Sequence, residues 1–124
     1  MIALETSSMI AFLSGAAGSD VSAVKSAIAM RQAVFPAVVV TELLSDPTLR
    51  PDAASFVRGI RRLLILDGYW ERAGDLHANI LRRGLKARLA DTLIAQSCLD
   101  HDVTLVTRDQ DFRHFARYGG LRLQ

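Results

Sequence analysis

The sequence predicts an α/β fold, with a central, mostly parallel sheet of four or five strands flanked by helices. Short β-branched runs alternate with longer segments of helical periodicity, which is the pattern of parallel sheets with helical crossovers. Glycine, proline and aspartate punctuate these segments. Half of the 124 residues are hydrophobic and 23% are charged. This composition suits one globular domain spanning residues 1–124.

The first half of the chain predicts two strands and four helices. The second strand is valine-rich, and it is predicted despite a proline near its start. Proline at the first position favours the fourth helix. The predicted elements are a strand at Met1–Leu4, a helix at Ser7–Leu13, a helix from a Ser19 or Asp20 cap to about Gln32, a strand at Val34–Val40, a helix at Thr41–Ser45 and a helix from Pro51 to about Arg62.

The second half predicts a strand, two long helices, another strand and a short final helix. Gly84 is a good C-terminal cap for the first of these helices. The predicted elements are a strand at Leu63–Leu66, helices at Tyr69–Arg83 and Arg88–Asp100, a strand at Thr104–Thr107, a helix at Asp111–Tyr118 and a possible edge strand at Leu121–Leu123.

Bulk properties narrow the class of protein. The net charge of +2 permits an anionic partner without requiring one. The lone cysteine, Cys98, excludes an internal disulfide, and its apolar surroundings indicate a buried, unreactive thiol. Glu5 interrupts the first apolar stretch, which argues against a signal peptide. No run is long enough to span a bilayer. We therefore expect a cytoplasmic protein.

Acidic residues follow the predicted strands. Glu5, Glu42 and Asp109 each come at or just after a strand end, where parallel α/β sheets bind their ligands. Asp91 begins the apolar face of a predicted helix, where an uncompensated carboxylate is unfavourable. Four carboxylates gathered at one edge would repel one another, and a hard divalent cation such as Mg²⁺ or Mn²⁺ would relieve that repulsion.

Each acid also has a local structural interpretation. Asp91 could cap its helix, Glu42 could favour the dipole of a helix in its first turn, and Asp109 could be a turn residue. Asp111 fits a helix cap better than a metal ligand. Glu5 is the hardest to explain locally, because it has no evident capping role.

Several segments, in order, resemble the motifs of a PIN domain, and the length and closing segment resemble VapC-type toxins. The resemblance covers essentially the whole chain. The matching segments are Ile2–Ser7, Met9–Leu13, Val39–Leu43, Arg83–Gly84, Ala90–Ala95, Thr104–Asp109 and Asp111–Phe112.

The resemblance implies a PIN-like three-layer sandwich and an endoribonuclease dependent on Mg²⁺ or Mn²⁺, with structured RNA such as transfer RNA as a possible target. It implies a homodimer held inactive by a cognate antitoxin, in a heterotetramer or larger assembly. It assigns catalysis to Glu5, Glu42, Asp91 and Asp109. Of these, Glu5, Asp91 and Asp109 are expected to bind metal, and Glu42 to bind metal or orient water. Ser7 and Thr107 occupy supporting positions.

Position 5 departs from the family pattern, which has aspartate there. Glutamate reaches about 1–1.5 Å further, and errors of that size impair catalysis. Glu5 is either a natural variant with a pocket built for it or a change that disarms the protein. If the four acids form the site, Glu5→Asp should raise metal-dependent RNA cleavage; an unchanged or lower rate would mean a natural glutamate site whose pocket is built for the longer side chain.

Basic residues flank the acids along the chain. Arg83, Lys86, Arg88 and Arg108 are predicted to bind the RNA backbone. Two other functions stay open. A PIN-fold protein with weak or no catalysis would act as a binding module, as the glutamate at position 5 suggests. A small phosphatase or receiver-like domain would need an aspartate phospho-acceptor. The expected position holds Glu5, which disfavours this alternative.

Overall fold

The computed structural model describes all residues, 1–124, as three strands and seven helices, with a 3₁₀ turn before the last helix. The elements are β1 (Ile2–Leu4), α1 (Thr6–Leu13), α2 (Ser19–Ala29), β2 (Ala33–Val34), α3 (Ala37–Leu44), α4 (Pro51–Gly59), α5 (Tyr69–Arg82), α6 (Leu89–His101), β3 (Thr104–Val106), the 3₁₀ turn (Gln110–Phe112) and α7 (Arg113–Gly119).

The sheet is parallel throughout, with the order β2-β1-β3. Ile2 pairs with Ala33 on one side and with Thr104 on the other. Single parallel bridges, Phe35 to Arg62 and Leu105 to Leu123, bring one further segment to each side. The predicted α/β architecture with a central parallel sheet is therefore confirmed.

One hydrophobic core of 22 buried residues holds the helices to the sheet. Ala3 and Leu4 of β1 and Leu105 of β3 are fully buried there. Strands buried on both faces read as continuous apolar runs, which is why the sequence located β1 and β3 correctly. No helix is both long and apolar enough to cross a membrane.

The predicted strand at Val34–Val40 is wrong beyond Val34. Pro36 precedes a helix, α3, which already begins at Ala37 rather than at Thr41. Val39 and Leu43, four residues apart, are the buried residues of this helix. The valine run thus follows the helical period, and packing overrides its β-propensity.

The predicted strand at Leu63–Leu66 is also not formed. Leu63 is buried and its N–H donates to the Phe35 carbonyl oxygen at 2.9 Å, but Leu64, Ile65 and Leu66 are exposed. The predicted edge strand at Leu121–Leu123 is reduced to the single bridge at Leu123.

Candidate metal centre at the carboxyl edge of the sheet

Glu5 lies where β1 ends and α1 begins. Its backbone N–H donates to the Val106 carbonyl oxygen at 3.0 Å, which continues the pairing of β1 with β3 by one residue. The side chain is 4% exposed. Its Oε2 atom accepts from the Ser7 N–H at 2.9 Å, from the Ser7 hydroxyl, and from the Thr107 hydroxyl at 2.8 Å.

These contacts give Glu5 a local role that the sequence did not reveal. Its carboxylate caps α1 by accepting from the Ser7 N–H. Burial raises the pKa of Glu5, and the hydroxyl and N–H donors of Ser7 and Thr107 oppose that rise. Ser7 and Thr107 therefore support Glu5 itself, and the three hydrogen bonds that they donate to it all go to one oxygen.

Asp91 is the third residue of α6 and is 6% exposed. The interpretation of Asp91 as a helix cap is wrong, because Arg88 precedes the helix and no side chain caps it. Burial, and next the charge of Asp109, raise the pKa of Asp91 to about 6. Its Oδ2 atom is buried without a hydrogen-bond partner. Such an atom is expected to have a ligand, and a cation would be a suitable one.

Asp109 and Asp111 join Asp91 through the segment after β3. The Asp109 N–H donates to the Thr107 hydroxyl at 3.0 Å, and Asp109 Oδ1 accepts from the Asp111 N–H at 2.9 Å. One carboxylate oxygen each of Asp91, Asp109 and Asp111 lie within 4.8 Å of one another. Asp111 was predicted to be a helix cap; in the structure Asp109 caps the 3₁₀ turn, and Asp111 joins the acidic cluster.

Glu42 lies on the second turn of α3. The interpretation that it stabilises the helix dipole from the first turn is therefore wrong. Its Oε1 accepts from the Thr6 hydroxyl at 2.6 Å. Thr6 was missed at the sequence level, although its position directly after Glu5 was the available signal. This bond ties α3 to the start of α1.

The four predicted acids influence one another electrostatically. The charges of Asp109, Glu5 and Glu42 all raise the pKa of Asp91, while that of Arg88 lowers it. Of the predicted acids, Asp91 and Asp109 lie close together with Asp111, as hard oxygen donors suited to a divalent cation. The tightest group is Asp91, Asp109 and Asp111, whereas Glu5 is held by hydroxyl groups.

Two of the predicted RNA-binding residues lie at this site. Lys86 and Arg88 line a cleft of about 360 Å³ together with Asp91, Asp111 and His114. The other two, Arg83 and Arg108, do not line this cleft and make other contacts. The Arg83 guanidinium stacks on the Tyr118 ring, 4.2 Å from its centroid.

Arg108 is committed to an ion pair. Its Nε and Nη2 donate to Asp20 at 2.8 and 3.0 Å, and Nη2 also reaches the Ala17 carbonyl oxygen at 3.2 Å. Gly18 is needed beside this pair, since a Cβ there would stand 2.6 Å from Asp20 Oδ1 and 3.0 Å from Arg108 Nη2. Asp20 also accepts from the Ser8 hydroxyl, rather than capping α2.

Cys98, two of the histidines and Tyr69 are buried or contact the backbone. The predicted burial of Cys98 is confirmed, and burial raises the pKa of its thiol to about 12. His77 and His101 contact backbone carbonyl oxygens. Tyr69 is buried in the interior, and its hydroxyl donates to the Leu93 carbonyl oxygen at 2.7 Å.

The chain matches a known protein family along most of its length. The model of the PIN domain matches residues 2–118. The chain belongs to the PIN domain family. PIN domains are generally nucleases that use divalent metals, in agreement with the acidic cluster. A comparison with curated protein sequences found no match.

Solved structures share this fold, and one of them is described as a member of the VapBC family of toxin–antitoxin systems. The chain is similar to VapBC2 from Rickettsia felis bound to a promoter DNA fragment, with a TM-score of 0.75, 20% identity, and coverage of 100% of this chain and 98% of the other. For FitAcB from Neisseria gonorrhoeae these values are 0.70, 18%, 99% and 96%. For VapBC-5 from Mycobacterium tuberculosis they are 0.65, 18%, 99% and 94%. At these identities the likeness establishes the fold of this PIN domain.

Proposed function

We propose that this PIN domain is an endoribonuclease dependent on Mg²⁺ or Mn²⁺ and acts as the toxin of a toxin–antitoxin pair. The observation that carries the proposal is the buried Asp91 carboxylate, which has an unpartnered oxygen beside Asp109 and Asp111. Three carboxylates so close together repel one another, and a hard divalent cation would relieve that repulsion better than a hydrogen-bond donor of the protein. The similarity to VapBC complexes supports the assignment to toxins.

The site residues divide into two groups in this proposal. Asp91, Asp109 and Asp111 hold the cation, which would supply Lewis-acid activation of water and neutralise charge on the phosphate. Glu5 and Glu42 complete the acidic edge, each oriented by hydroxyl groups: Glu5 by Ser7 and Thr107, Glu42 by Thr6. Oε1 of Glu5 carries none of the three bonds that hold the side chain, so it is the oxygen available to orient water or reach the ion.

Digestion of total RNA with Mg²⁺ or Mn²⁺, read by sequencing new 5′ ends, tests the activity. We expect cleavage that EDTA abolishes and that Asp91→Asn and Asp109→Asn remove. Asp75→Asn is the matched control, because Asp75 is an exposed acid on α5 outside the cluster. Metal binding with no cleavage of any RNA would favour the binding-module alternative. Hydrolysis of a small phosphomonoester instead of RNA would indicate a phosphatase.

An antitoxin is the partner that the surface supports. A cleft of about 350 Å³ between α1, α3 and α4 is lined by Ile10, Leu13, Leu43 and Leu49, and Glu42 lies at its wall. A partner segment with apolar side chains in this cleft would reach the acidic edge through Glu42 and block it. We further propose that the toxin forms a homodimer, and a heterotetramer or larger assembly with the antitoxin. Light scattering of the free and co-expressed protein measures both states.

A further inference from the structure

Two arginines share one tyrosine ring outside the acidic cleft. The guanidinium carbons of Arg83 and Arg117 lie 4.2 and 5.2 Å from the centroid of the Tyr118 ring. Asn79 fixes this group, since its Oδ1 accepts from Arg83 Nε and its Nδ2 donates to the Tyr118 carbonyl oxygen, both at 3.3 Å. We call Arg83, Arg117 and Tyr118 the arginine–tyrosine shelf.

No acid of the protein neutralises the shelf. The four ion pairs involve Arg50, Arg72, Arg108 and Arg122, and neither shelf arginine is among them. Because both stack on one ring, their charges lie within about 10 Å of each other, close enough to repel at physiological salt. An anionic ligand would remove that repulsion.

The shelf continues the acidic cleft along α7. His114 lines the cleft, and Arg117 follows it by three residues, so both lie on the same side of the helix. Arg83 directly follows α5, and the chain from there passes Lys86 and Arg88, which line the cleft, to Asp91. A polyanion leaving the cleft therefore meets the shelf within about one helical turn.

We propose that the arginine–tyrosine shelf is a second RNA contact site, which binds the strand flanking the bond to be cleaved. The proposal rests on the nuclease function proposed above. The arginine forks suit phosphate, and the guanidinium planes that Tyr118 holds in place suit stacking of unpaired bases. An acidic protein segment would offer charge to the arginines but no bases to stack, so RNA uses both properties of the shelf.

Binding of a fluorescent single-stranded RNA in EDTA, measured by anisotropy over a range of salt, tests the site. Each lost phosphate contact flattens the slope of log affinity against log salt by about 0.7, so Arg83→Gln/Arg117→Gln should flatten it by about 1.4 and weaken binding at least about tenfold. Arg61→Gln/Arg62→Gln is the matched control, because these exposed arginines lie at the opposite edge of the sheet, beside Phe35. The control should bind as wild type does.

Two further variants separate stacking from charge. Tyr118→Phe keeps the ring and should bind normally, whereas Tyr118→Leu should weaken RNA binding while leaving the salt slope close to that of wild type. An equal loss in the shelf and control variants would overturn the proposal, as would no loss in either. Polyglutamate offers charge without bases. If it displaces RNA in a way that depends on the shelf arginines but not on Tyr118, the surface binds an acidic protein instead.

Cleavage kinetics distinguish failure of the shelf from failure of the nuclease function. With Mn²⁺, the loss of kcat/KM in Arg83→Gln/Arg117→Gln should grow with RNA length, from under about twofold on a trinucleotide to at least about tenfold on a long strand. A loss independent of length would overturn the shelf while leaving the nuclease intact. Shelf-dependent RNA binding without any cleavage would overturn the nuclease alone.

Discussion

The carboxylate of Asp91 is unfavourable for the fold and useful for metal binding. Asp91→Asn should raise the free energy of unfolding in EDTA at neutral pH by about 1–3 kcal/mol, because it removes a buried charge whose pKa the fold raises to about 6. Urea unfolding measures this, with Asp75→Asn expected to change stability by less than about 0.5 kcal/mol. A less stable Asp91→Asn protein would mean that the carboxylate makes a stabilising contact.

Glu5 occupies a pocket that fits the length of glutamate. Glu5→Asp withdraws the carboxylate by about 1–1.5 Å, and we now expect metal-dependent cleavage to fall at least about tenfold. The reason is that the three donors from Ser7 and Thr107 converge on Oε2 and would lose their acceptor. Initial rates on one RNA substrate measure the effect. An increased rate would instead identify position 5 as a substituted aspartate site.

Asp20 and Arg108 fasten the loop after β3 to the start of α2, one residue away from Asp109. Asp20→Asn should lower the melting temperature and reduce metal-dependent cleavage by freeing this loop. RNA binding should not become tighter. Tighter binding would mean that Asp20 masks Arg108 as an RNA-binding residue. Asp102→Asn, which frees Arg122 from an exposed pair, is the control.

The effect of Asp20→Asn on the melting temperature should depend on pH in a definite direction. Arg108 lowers the pKa of Asp20 from 3.8 to about 2, so the ionised carboxylate stabilises the folded state fully above about pH 4. That contribution is lost as the pH falls towards 2. The difference in melting temperature between wild type and Asp20→Asn should therefore narrow across this window. A difference that stays constant there would contradict the ion-pair explanation.

At the scale of elements, prediction from the sequence succeeded where one local signal prevailed. The helix α5 combines a clear period with Gly84 at its C-terminal end, and the strands β1 and β3 are buried apolar runs. The run at Val34–Val40 failed because β-branched residues fit both a buried strand and a short buried helix. Only packing against the rest of the chain decides between them. This error displaced Glu42 from the end of a strand to the second turn of α3, yet kept it at the site.

The cleft formed by α1, α3 and α4 gives a prediction at this scale. Ile10 lies in the cleft and is 56% exposed, so Ile10→Lys should leave the fold intact but weaken antitoxin binding at least about 100-fold. Leu64→Lys is the control, because Leu64 is 74% exposed and lies outside the cleft. Co-purification with the protein encoded beside the gene measures binding. Equal retention by both variants would place the antitoxin elsewhere.

At the scale of the molecule, the parallel sheet brings together acids far apart in sequence. Glu5 follows β1, Asp109 follows β3, and Asp91 enters from α6, which packs beside β3. The general rule for parallel sheets was enough to predict this convergence. The closeness of Asp111 was not predictable, because it depends on the 3₁₀ turn that Asp109 caps. Likewise, the pairing of Arg108 with Asp20 spans 88 residues, and no local pattern marks it.

Because the protein has one core and converging carboxylates, metal binding should stabilise the whole fold. The ion binds only the folded state, so Mn²⁺ at about 100 times its dissociation constant should add about 2.7 kcal/mol to the free energy of unfolding. Unfolding should remain a single transition. Thermal unfolding at increasing Mn²⁺ measures the effect. Asp91→Asn and Asp109→Asn should lose the response to Mn²⁺, although the first begins from a more stable metal-free state. A full response in both variants would show that the ion binds elsewhere on the protein and that these carboxylates are not its ligands.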